Sequence, residues 1–224
     1  MARMHAIPLR QDDVFYPESD GQPMGETELH RIEIGYLIDA FSERFEEEHD
    51  AYVGGNLFLY YHQGDPEDVI CPDVMVVRGV PKLPLRRTFR LWEEGESPCL
   101  IVEVSSSTTQ GNDFDSKKKL YEYLGIEEYF LYDPLAIRVP QLQGFRLEDD
   151  GLYQPVALEP DGSLASQTTG VTLRIEEDHV RAVEAETGKR YLRDAEKNAK
   201  IKELEAEVAR LRREMERLSK SAQD

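Results

Sequence analysis

Residues 98–134 read PCLIVEVSSSTTQGNDFDSKKKLYEYLGIEEYFLYDP, and this stretch decides the fold. Ile101, Val102 and Val104 are what a buried strand requires. "NDFDSKKKLYEYLG" predicts a helix that opens near Asn112 or Asp113 and stops at Gly125. "EEYFLYDP" predicts a second buried strand, ended by Asp-Pro. Glu103 does not fit the first strand. A carboxylate desolvated without a partner costs several kcal/mol or takes up a proton, so its presence there asks for a reason.

Working outward, "GETELHRIEIGYLIDAFSERFEE" (25–47) repeats apolar residues at spacings of three and four from Leu29 to Phe45. That period predicts an amphipathic helix, with Thr27 as its N-cap. "AYVGGNLFLYYH", "VICPDVMVVRG" and "PCLIVEVSS" are three strand candidates, and "QGFRLEDDGLYQPVAL" is a hairpin turning at Asp-Asp-Gly. The order of elements predicts an α/β core with a mixed central sheet flanked by helices over residues 1–188. Residues 189–224 change character. Ile201, Leu204, Val208, Leu211, Met215 and Leu218 are spaced 3, 4, 3, 4, 3, the heptad seam of a coiled coil. Self-association as a homodimer or larger assembly through 201–218 is therefore expected.

Alternation along a strand places Glu103 on one face with Ile101 and Ser105, and Asp73 on one face with Met75 and Val77. If the two strands pair, Asp73 and Glu103 stand side by side, ~5 Å apart. Two carboxylates that close repel unless a cation lies between them. Mg²⁺ suits such a site, because it takes carboxylate oxygens and keeps several waters. Asp113, Lys117 and Tyr121 follow at four-residue intervals and so share one helix face, from which Lys117 reaches toward the pair. Each residue alone has an ordinary structural account: a turn cap for Asp73, a buried arginine partner for Glu103, a solvated charge for Lys117. Their combination points to a site.

These residues resemble the Uma-type restriction endonuclease family, a branch of the PD-(D/E)XK nuclease-like superfamily. The likeness runs over about residues 25–150 and rests on Pro72, Asp73, Glu103, Val104, Ser106, Asp113, Lys117, Tyr121, Gly125, Tyr129, Asp133 and Pro134, with His30 where the family has a histidine. One departure from the wider superfamily stands out. The lysine that usually follows the acidic residue by two positions is replaced by Ser105, and Lys117 on the helix takes its place. The resemblance implies a restriction-endonuclease-like fold and Mg²⁺- or Mn²⁺-dependent hydrolysis of DNA phosphodiesters. Asp73, Glu103 and the Val104 carbonyl would hold the metal and Lys117 would assist, with His30, Ser105, Asp113 and Tyr121 in support.

Charge argues in the other direction. The formal net charge is −18; residues 189–224 carry +3, so the first 188 carry −21. Phosphate contacts need Lys and Arg, and the dense basic cluster of the body is Arg86, Arg87 and Arg90, the expected nucleic-acid contact. An acidic body with a heptad tail also fits a non-catalytic interaction protein built on a nuclease fold. No glycine-rich phosphate loop supports an enzyme of small phosphate esters. No apolar run approaches the ~20 residues of a membrane helix, no secretory leader is evident, and two cysteines form no disulfide framework. A cytoplasmic protein that does not enter membranes is expected.

Overall fold

The computed structural model describes residues 14–19, 27–105, 112–137 and 140–221. The chain divides into two compact units, Met1–Arg190 and Tyr191–Asp224.

The first unit is built on a six-stranded mixed sheet: β1 (Ala51–Gly54), β4 (Val74–Arg78), β6 (Leu100–Val104), β7 (Glu128–Tyr132), β8 (Leu142–Leu147) and β9 (Tyr153–Val156), adjacent in that order. Only β6 and β7 run parallel, because the helix α3 (Asn112–Tyr123) carries the chain back between them. Two small sheets complete the unit. One joins β3 (Val69–Ile70), β2 (Leu59–Tyr60) and β5 (Phe89–Arg90), which leads into the short helix α2 (Leu91–Glu94); the other joins β10 (Leu164–Ala165), β11 (Val171–Glu176) and β12 (His179–Glu184). This is the mixed sheet flanked by helices that the sequence predicts.

Both faces of the central strands are covered. Met75, Val77, Ile101 and Tyr129 pack in one buried cluster with Tyr121 of α3. Val74, Val76 and Val102 alternate to the opposite face, where α1 (Glu28–Arg44) lies against β1, β4 and β6. Leu37 and Phe41 of α1 are fully buried, and each contributes about 2 kcal/mol of hydrophobic stabilisation. Thr27 caps α1 as predicted, its side chain accepting from the His30 N–H. A second tie holds α1 in place: the buried carboxylate of Glu33 accepts from His179 Nδ1 (2.6 Å) and from the Val180 N–H (3.2 Å) of β12.

The structure differs from the strand predictions at two points. "AYVGGNLFLYYH" is not one strand. It breaks at Gly54-Gly55-Asn56, so that β1 and β2 belong to different sheets, and Asn56 takes a positive φ of 49°. "VICPDVMVVRG" is divided by Pro72, which has no N–H to give a ladder, and Asp73 precedes β4 by one residue. The β10–β12 sheet was not anticipated. The hairpin at Asp149-Asp150-Gly151 forms as β8 and β9, and Gly125 ends α3 with a φ of 71°. Among the described residues, no helix is long and apolar enough to cross a membrane.

The second unit is α4 (Asp194–Ser221), a helix of 28 residues. Its six heptad residues, from Ile201 to Leu218, are between 45% and 70% exposed.

Candidate active site

The site lies where β4 begins and β6 ends. The antiparallel register pairs Val74 with Val102, and one step further it sets Asp73 opposite Glu103. The ladder does not continue there through backbone alone. The Asp73 side chain accepts the Val104 N–H at Oδ2 (2.8 Å). On the same side of the strand, the Val104 carbonyl accepts from His30 Nε2 at 2.7 Å. A carbonyl only accepts, so Nε2 carries the proton. His30 Nε2 also stands 3.5 Å from Asp73 Oδ2.

Asp73 is held from behind by a feature the sequence reading did not connect to it. The Asn56 N–H donates to the Pro72 carbonyl (2.9 Å). A Cβ on Gly55 would meet the Asp73 carbonyl oxygen at 2.1 Å, so only glycine allows this approach. The Gly-Gly-Asn run was the available signal, but nothing in sequence spacing says which strand end it braces.

Glu103 is 5% exposed, and α3 supplies both of its partners. Lys117 Nζ donates to Oε2 at 2.8 Å and the Tyr121 hydroxyl donates to Oε1 at 2.5 Å, as the four-residue spacing requires. These contacts do not fully offset its position. Burial and the neighbouring Asp73 charge push the Glu103 pKa up to about 7, against the lowering effect of Lys117 and Tyr121. Burial and the Glu103 charge likewise raise the Tyr121 hydroxyl well above its ordinary value.

Glu128, in the neighbouring strand, gives the contrast. It too is fully buried, and burial pushes its pKa up. It accepts, however, from Ser166 Oγ (2.6 Å), the Gln167 N–H (3.0 Å), Arg146 (2.8 Å) and Thr168 Oγ1 (2.8 Å). The outcome is a carboxylate held below its usual range. Glu128 is a satisfied structural ion tying β7 to β8 and the segment after β10. Glu103 is not satisfied in that way.

The structure thus brings Asp73, Glu103, Val104, Lys117, Tyr121 and His30 together. Ser105 continues β6, its N–H donating to the Tyr132 carbonyl (2.8 Å). Asp113 opens α3, but its side chain and the whole of Ser106 lie outside the described residues. Each of the three arginines expected to contact nucleic acid has a carboxylate neighbour. Arg86 is turned into the fold, bound to both oxygens of Glu94 (2.6 and 2.8 Å) and stacked 4.3 Å over the Tyr52 ring. Arg90 pairs with Glu93 (2.9 Å) and Arg87 with Glu18 (2.5 Å). Arg86 is thereby committed to the fold, whereas Arg87 remains largely exposed.

Among the described residues, no group of three His, Cys, Asp or Glu side chains is placed to hold a metal ion. The donor set that exists is two carboxylates and a backbone carbonyl, all oxygen. That suits a hard cation which keeps part of its water.

A crystal structure described as a putative nuclease of DUF820 from Anabaena variabilis shares 14% identity, covering 72% of this chain and 91% of that one, with a TM-score of 0.49. No curated protein matches the chain. A family model does match, over residues 2–176, and on that ground the chain belongs to the Uma2 family, described as "Putative restriction endonuclease".

Proposed function

We propose that this protein is a divalent-metal-dependent endonuclease that hydrolyses DNA phosphodiester bonds. The observation that carries the reading is the contrast between two buried glutamates in adjacent strands. Glu128 is fully compensated, whereas Glu103 is left at a pKa of about 7 opposite Asp73. A buried acidic pair in that condition is a functional-site signature.

Asp73, Glu103 and the Val104 carbonyl would hold Mg²⁺ or Mn²⁺. When bound, such an ion polarises a phosphoryl oxygen and lowers the pKa of a coordinated water. The chain's own residues supply the rest. Lys117, partly exposed beside Glu103, presents an ammonium to the charge that grows on a phosphoryl oxygen. Tyr121 fixes the Glu103 carboxylate from the buried side. His30 and Asp73 grip the two backbone groups of Val104, so that its carbonyl keeps one orientation. The C-terminal helix would join copies of the chain through residues 201–218.

The test is a cleavage assay on plasmid and single-stranded DNA with Mg²⁺ or Mn²⁺, comparing wild type with Glu103→Ala and Lys117→Ala. Loss in both variants, with circular dichroism unchanged, is the expected result. A second reading, a non-catalytic interaction protein, draws support from the charge of −21 on residues 1–188 and from the ion-paired arginines. Wild type that neither cleaves nor binds Mg²⁺ or Mn²⁺ by calorimetry would establish that reading instead.

A further inference from the structure

The heptad face of α4 contains more information than its apolar spacing. Taking Ile201 as position a, the a positions are Ile201, Val208 and Met215 and the d positions are Leu204, Leu211 and Leu218. All six are about half exposed on the single chain. Two of the three a residues, Ile201 and Val208, are β-branched and every d residue is leucine, the pattern of parallel two-stranded coils; isoleucine at both positions, or leucine at a with isoleucine at d, favours higher numbers.

The flanking charges select an arrangement as well. In a parallel pair, each g residue faces the e residue five positions later on the other helix. Lys200 then faces Glu205, Glu207 faces Arg212, and Glu214 faces Ser219. Two contacts are attractive, each occurring twice by symmetry, and none is repulsive. The antiparallel arrangement with the same number of apolar layers puts Ile201 opposite Leu218 and Leu204 opposite Met215. It keeps Glu205 near Arg212 but sets Glu207 against Glu214, and it leaves Lys200 without an acidic partner across the seam. Within the single helix, Lys200 pairs with Glu203 and Glu207 with Arg210. These are exposed contacts three residues apart, which exchange at little cost.

We infer that α4 docks against a second copy of itself, parallel and in register, making the protein a two-stranded dimer with residues 201–218 as its seam. This rests on the self-association proposed above and adds its number and direction. In a parallel coil both chains enter at the same end. The seam spans about 27 Å of helix, short enough for the dimer to dissociate on dilution.

The experiment uses the full chain in a Cys71→Ser background, and it reads mass and cross-linking, not cleavage. Sedimentation equilibrium gives a concentration-dependent dimer. Leu204→Cys forms a disulfide with itself in air, because identical residues meet in a parallel pair. Lys200→Glu, an exposed change that leaves the fold intact by circular dichroism, raises the dimer Kd roughly 3- to 10-fold. Adding Glu205→Lys restores it. A monomer at every concentration would overturn both the self-association and the inference. A dimer that cross-links only when Leu204→Cys is mixed with Met215→Cys would overturn the direction alone, and a trimer or tetramer would overturn the number. Each outcome is read without DNA, so it is separate from success or failure of the nuclease assay.

Discussion

Replacing Glu103 with glutamine tests the electrostatics of the site without any substrate. Folded Glu103 holds its proton to about pH 7, against an ordinary value of 4.5. Between those limits the folded protein binds more protons than the unfolded chain, so stability falls as pH rises through that window. Below about pH 4.5 the group adds no penalty; above about pH 7 the penalty is complete. At about 1.4 kcal/mol per pH unit, the full effect is ~3 kcal/mol. Glutamine mimics the protonated acid and removes the dependence. In metal-free buffer with a chelator, Glu103→Gln and wild type should show equal stability near pH 4.5 in urea denaturation. The variant should then gain steadily, reaching about 2–3 kcal/mol at pH 8. Mg²⁺ added at pH 8 should stabilise wild type and not the variant. A difference between the two proteins that stays constant from pH 4.5 to 8 would refute the reasoning.

Three further outcomes follow from the same geometry. Gly55→Ala drives a Cβ into the Asp73 carbonyl and should cost about 1–3 kcal/mol by calorimetry, with loss of metal-dependent cleavage in protein that still folds. Tyr121→Phe removes the hydroxyl that donates to Glu103. Since a hydrogen bond to a charged group is worth about 1.5–3 kcal/mol, the acid limb of the cleavage pH profile should move up by about one to two pH units. Glu128→Ala leaves Arg146 without its buried partner and should destabilise the fold by about 3 kcal/mol. Below its melting transition, its cleavage rate per folded molecule should match wild type.

Sequence patterning revealed the elements whose periodicity is unbroken. α1 and the strands at 100–104 and 128–132 bury continuous apolar faces, so local spacing and tertiary packing agree. The meeting of Asp73, Glu103, Lys117 and Tyr121 was legible for the same reason, since strand register and helix spacing are both short-range rules. What escaped the reading depends on contacts between distant segments. The break at Gly54-Gly55-Asn56 is set by a close approach to Pro72 and Asp73, which no local pattern encodes. Arg86 reads as a surface charge because it clusters with Arg87 and Arg90, yet Tyr52 and Glu94 draw it inward. Glu128 escaped attention entirely. Its compensation comes from Ser166, Gln167 and Thr168, about forty residues away.

The bond from Val104 to Asp73 gives this carboxylate two occupations. Just before β4 the Asp73 side chain stands in for a strand neighbour, and one of its oxygens receives the N–H that a backbone carbonyl would otherwise take. An asparagine can make the same contact through its amide oxygen. The rung of the ladder and the charge of the site therefore reside in different properties of one residue. Exchanging a single oxygen for an NH₂ group preserves the first and abolishes the second, so a chain carrying asparagine here would keep its architecture without the negative charge beside Glu103.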